Sequence, residues 1–69
     1  MATSTYKIVE LVGTSDKSWE EAANAAIETA AASLKDLRVA EITKLDAKIE
    51  NGKVKTYRAR VNVSFKYQK

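Results

Sequence analysis

Apolar and polar positions alternate through Tyr6 to Val12, with Tyr6, Ile8 and Val12 on one face of an extended segment and Val9 and Leu11 on the other. That period of two reads as a strand, partly apolar on both sides. One side suits a helix and the other a further layer, such as a second subunit. Gly13 is expected to end the strand, and Thr14 to Lys17 to form a polar connection.

The period then changes. Ser18-Trp19-Glu20-Glu21 has the form of a capping box, in which Ser18 accepts from a first-turn amide and Glu21 reaches back to the Ser18 amide. Alanines at 22, 23, 25, 26, 30, 31 and 32 give strong helix propensity to about Leu34. The stripe Trp19, Ala23, Ala26, Ile27, Ala30, Leu34, Leu37 follows helical spacing and is expected to face the sheet. Side chains this small imply a close helix–sheet approach and little buried area.

Strand character resumes from Arg38 to Ile49, but its apolar phase slips: Ala40 and Ile42 share one parity, Leu45, Ala47 and Ile49 the other. A bulge or bend near Thr43 would reconcile them. Asn51-Gly52 is a strong signal for a type I′ hairpin turn, so the chain should return antiparallel. From Lys53 to Tyr67 the alternation is clean, and this is expected to be the longest strand. Tyr57, Ala59, Val61, Val63, Phe65 and Tyr67 lie on one face, and Arg58, Arg60, Asn62, Ser64 and Lys66 on the other.

The order β-α-β-β, with the last strand antiparallel between the first two, defines an α+β domain: a three-stranded antiparallel sheet wrapped around one helix. A single domain over residues 1–69 is expected. The sheet face bearing Arg58, Arg60, Asn62, Ser64 and Lys66 is left without cover and would look into solvent or a shared cavity.

Composition narrows the chemistry. A chain of 69 residues without cysteine or histidine cannot form a zinc site of the usual kind, a thiol nucleophile or an imidazole base. The serines therefore lack a histidine partner, and no enzymatic activity is expected. The two glycines, Gly13 and Gly52, are too few for a phosphate-cradling loop. No D-x-D-x-D-G loop is present, so a hard-cation site must gather oxygens from separated segments or from neighbouring subunits. Without a signal-peptide core in Met1 to Lys7, or an apolar run near the roughly 18 residues of a membrane span, a soluble cytoplasmic protein with no membrane partner is expected.

Charge is divided unevenly. Met1 to Asp36 carries three lysines against six acids, and Leu37 to Lys69 nine basic residues against three acids. The basic half is readable as an anion or nucleic-acid surface. Only Arg38, Arg58 and Arg60 among the twelve basic residues are arginine, and no aromatic RNA-binding motif accompanies them, so nucleic acid is not the expected partner. A domain this short buries only about 60% of its unfolded surface and is marginal alone, which makes self-association the expected source of stability.

Y-K-I-V-E-L-V-G-T-S (Tyr6 to Ser15), the alanine helix, V-A-E-I (Val39 to Ile42) and T-Y-R-A-R-V-N-V-S-F-K (Thr56 to Lys66) together resemble the dodecins, nearly end to end. The resemblance implies β-α-β-β subunits that assemble twelve at a time into a hollow homododecamer of tetrahedral symmetry. Many dodecins bind flavin in pairs, each ring stacked on a tryptophan early in the second strand and contacted by a glutamine on the third. Those positions fall at Val39 and Arg58 in this chain, with Glu41 beside them. Val39 offers no π face, and Arg58 cannot accept a hydrogen bond. The S-W-E-x-A-A opening (Ser18 to Ala23) and the R-V-A step (Arg38 to Ala40) resemble a branch known as calcium dodecins. The resemblance thus implies calcium ahead of flavin (riboflavin or FMN), in a non-catalytic binding or buffering role, and names no calcium ligands. Arg60 and Lys66 are candidate anion contacts, since family members also bind coenzyme A through basic groups near the end of the third strand.

Overall fold

A computed structural model describes residues 3–67. Strand β1 spans Tyr6–Ser15, helix α1 Trp19–Ser33, strand β2 Leu37–Glu50 and strand β3 Lys53–Lys66. The three strands form one antiparallel sheet in the order β1-β3-β2, as the crossover argument requires. β3 stops one residue short of Tyr67, and at 14 residues it equals β2 and does not exceed it.

Gly13 does not end β1. It pairs with Ala59 inside the strand, which runs on to Ser15. A Cβ at Gly13 would overlap the Ala22 carbonyl oxygen and stand 3.0 Å from Ala26 Cβ, so the glycine marks where helix and sheet press together.

The line of contact on the helix is Ala22, Ala26 and Ala30, all buried, with Ala23, Ile27 and Leu34 flanking it. The expected stripe is thus rotated slightly to take in Ala22, because only the smallest side chains fit directly over Gly13 and Ala59. Trp19 falls outside that line and stays 40% exposed. The cap is half the expected box. Ser18 Oγ accepts from the Glu21 amide at 3.1 Å, while the Ser18 amide faces Ser15 Oγ at 3.5 Å in place of the Glu21 carboxylate.

The slip of phase in β2 is resolved as the pattern predicts. The register shifts between Ile42 and Lys44, leaving Thr43 as the extra residue, so that Ala40, Ile42, Leu45 and Ala47 all lie opposite helix-facing residues of β3. Two further shifts, at Leu37/Val39 and Lys48/Ile49, were not visible in the pattern. Asn51 and Gly52 take φ of 54° and 73°, as a type I′ turn demands.

The buried core of the described residues is Ala22, Ala26, Ala30, Ala59, Val61 and Val63, and its bulkiest fully buried members are valines. A compact 69-residue chain has a radius of gyration near 11 Å. This one measures 14.4 Å and extends 55 × 20 × 15 Å. Tyr6, Ile8, Val12, Val39, Ile42, Leu45, Ile49 and Val54 are each at least 44% exposed. The isolated chain therefore leaves more large apolar side chains in water than it buries.

Candidate functional site

The open face of the sheet is built by alternation alone. With Ala59, Val61 and Val63 held under α1, the intervening residues Arg58, Arg60, Asn62, Ser64 and Lys66 must point the other way. Pairing across both edges adds Thr14, Val12, Glu10, Ile8 and Tyr6 from β1, and Asp46, Lys44, Glu41 and Val39 from β2. All the residues singled out in the sequence, Val39, Glu41, Arg58, Arg60 and Lys66, thus share one face.

They do not share one spot. Val39 lies opposite Ser64, whose hydroxyl donates to the Val39 carbonyl at 3.3 Å, and Glu41 lies opposite Asn62. Arg58 is six residues away from Ser64 along β3, about 20 Å at the usual rise per residue. A single ring stacked at Val39 does not reach Arg58 of the same chain. A site using both draws them from different copies.

Arg58 has a partner that sequence reading passed over. Its Nε donates to Asp46 Oδ1 at 2.7 Å and its Nη2 to Asp46 Oδ2 at 3.1 Å, a fork-to-fork pair across β2 and β3. The Arg58 hydrogen bond, opposed by desolvation and helped by the positive charges of Arg58, Lys44 and Arg60, holds the Asp46 carboxyl below its ordinary value of 3.8. The same bond pushes the Arg58 guanidinium up. A two-residue turn continued without shifts would place Asp46 opposite Tyr57. Only the shift at Lys48/Ile49 brings it opposite Arg58, so a hairpin register counted from Asn51-Gly52 misses the pair.

Asp46 also anchors the far side of the sheet through its backbone. Its carbonyl accepts from Trp19 Nε1 at 2.9 Å, and the Trp19 ring meets Tyr57 edge to face, with centroids 4.9 Å apart. Trp19 is an anchor of the helix edge on the covered side, and it lies away from the open face.

Glu10, Asn62 and Glu41 form one row across the three strands of the open face. The backbones of the two glutamates stand two strand spacings apart, about 10 Å, with the neutral Asn62 between them. Among the described residues no group of three or more carboxylates gathers in a metal-holding arrangement. One chain alone therefore does not fit a calcium ion. Among the same residues, no helix is long and apolar enough to cross a membrane.

The comparisons with known proteins agree with this architecture. The Dodecin family matches residues 5–68. Calcium dodecin of Mycobacterium tuberculosis is 41% identical over 63 residues, covering 91% of this chain and 89% of that one. The crystal structure of that calcium-chelating protein, described as having a novel calcium-binding site, superposes with a TM-score of 0.84 at 40% identity, over 94% of this chain and 93% of its own. Dodecin from Streptomyces coelicolor gives a TM-score of 0.93 at 29% identity, over 100% and 99% of the two chains. This chain belongs to the dodecin family.

Proposed function

We propose that the chain is the non-catalytic subunit of a hollow, cytoplasmic homododecamer that binds or buffers a small ligand or cation, with calcium ahead of flavin. The observation that carries this is the 41% identity to calcium dodecin over 91% of the chain. The open face supports it, because Val39 supplies no aromatic surface for a ring and Asp46 already occupies the Arg58 guanidinium. Calcium oxygens would have to come from more than one copy, since no three carboxylates of the described residues gather in one chain. Self-assembly is favoured for the same reason the core is small: neighbours would cover apolar side chains that the subunit cannot.

Flavin storage is the second reading. The feature that favours it is the cationic pair of Lys44 and Arg60 on the open face, which would suit an FMN phosphate, with Lys66 a further candidate anion contact at the end of β3. One experiment separates the two: the absorption spectrum of the purified native particle, with its melting temperature in calcium and in magnesium. A colourless particle whose melting point rises with calcium and not with magnesium is expected. A yellow preparation, or quenching of riboflavin at micromolar concentration, would reverse the order.

A further inference from the structure

We propose that the groove beside the start of α1 seats the β2–β3 hairpin tip of a second copy of this chain, in a head-to-tail contact. The contact rests on the self-assembly proposed above and specifies one of its surfaces.

The groove has a volume of about 430 Å³ and is lined by Trp19, Glu20, Ala23, Ile42 and Leu45. Its floor is apolar, yet Trp19, Ile42 and Leu45 are 40%, 44% and 51% exposed in the single chain. The far end of the molecule carries the reciprocal feature. Ile49 and Val54 lie directly opposite one another near the turn, 65% and 50% exposed. Val54 is five residues before Ala59, the buried residue of β3 nearest the turn, which places it about 17 Å past the core. The pair cannot fold back onto its own groove, because β2 and β3 remain paired up to Glu50 and Lys53.

Charge selects the partner. Glu20 is the one charged residue that lines the groove, and Asp16 and Glu21 stand near it in sequence against Lys17, so the charge at the groove is acidic. At the tip, Lys48 is 3.5 Å from Glu50, leaving Lys53 and Lys55 to carry the positive charge around Val54. An apolar groove with acidic charge and an apolar tip with a basic border are complementary, and both occur once per chain. Because the two patches differ, the contact is heterologous and must close into a ring, as a finite shell requires, or run on as a filament.

Glu20→Lys and the double variant Lys53→Glu/Lys55→Glu test this, alone and combined. The readouts are sedimentation mass and the emission of Trp19, the single tryptophan of the chain. All three side chains are exposed, so the variants are expected to keep the circular dichroism of the parent. Either reversal alone should raise the concentration at which the particle dissociates roughly tenfold or more and shift Trp19 emission to the red. The combined variant should restore both. A wild-type multimer whose mass and emission survive each reversal, or whose combined variant dissociates further, would overturn this contact and leave the shell standing. A monomeric wild type would overturn both.

Discussion

Gly13 passes directly beneath the Ala22 carbonyl, so that a Cβ at Gly13 would overlap the Ala22 oxygen and meet its carbonyl carbon at 3.0 Å. Sheet and helix meet backbone to backbone there. The buried alanines of α1 and Ala59 of β3 extend the same close seam. A seam of this kind fixes geometry well but removes little apolar surface from water.

Gly13→Ala should therefore destabilise the chain although its backbone is extended. The added methyl has to push the helix away from the sheet, at a cost in the upper part of the roughly 1–3 kcal/mol range for overpacking. Denaturant midpoints of the native particle measure it. An unchanged midpoint would show that the helix moves aside without penalty.

Val63→Asp should abolish folding and assembly together. Val63 is 1% exposed, between Val9 and Ala40 and under α1, where a carboxylate has no partner. A buried charge of that kind costs about 3–5 kcal/mol. Soluble, folded Val63→Asp protein by circular dichroism would contradict the assignment of that face.

The Asp46–Arg58 pair predicts a specific pH dependence. The folded carboxyl is held below 3.8, so its stabilising contribution is present above that value and is lost as pH falls through the lower, folded one. Asp46→Asn should lie slightly below the parent in melting temperature at neutral pH, since both groups are solvated, and the gap should narrow as pH falls below 3.8. Melting curves of the two proteins at neutral pH and near pH 3 check this. A gap that widens in acid would contradict the pairing.

Much of this was legible in the sequence, for identifiable reasons. The parity slip between Ile42 and Leu45 calls for a bulge or a bend near Thr43, and the structure resolves it as a bulge with Thr43 as the extra residue. Asn51-Gly52 announced the turn by residue type alone. Gly13 was misread as a stop because a glycine in a strand signals either an ending or a close approach, and the approaching helix lies outside the local pattern. Asp46 escaped because its pairing depends on a bulge near Lys55 that leaves no mark in the alternation of apolar residues. The separation of Val39 from Arg58 along the open face is likewise set by register, which residue types do not reveal.

Val39→Trp combined with Arg58→Gln should raise riboflavin affinity. The indole restores a stacking surface worth roughly 0.5–1.5 kcal/mol per aromatic pair, or about two- to tenfold, and the amide restores a group that both donates and accepts. Riboflavin fluorescence quenching measures the gain. Unchanged affinity would mean that these positions do not meet the ring.

Sedimentation of the wild-type protein in dilute buffer is the most direct measurement of whether one chain is enough. A particle many times the 7.6 kDa of the single chain, and close to twelve times it, is expected. A stable, compact species of 7.6 kDa would contradict the dependence of each subunit on its neighbours.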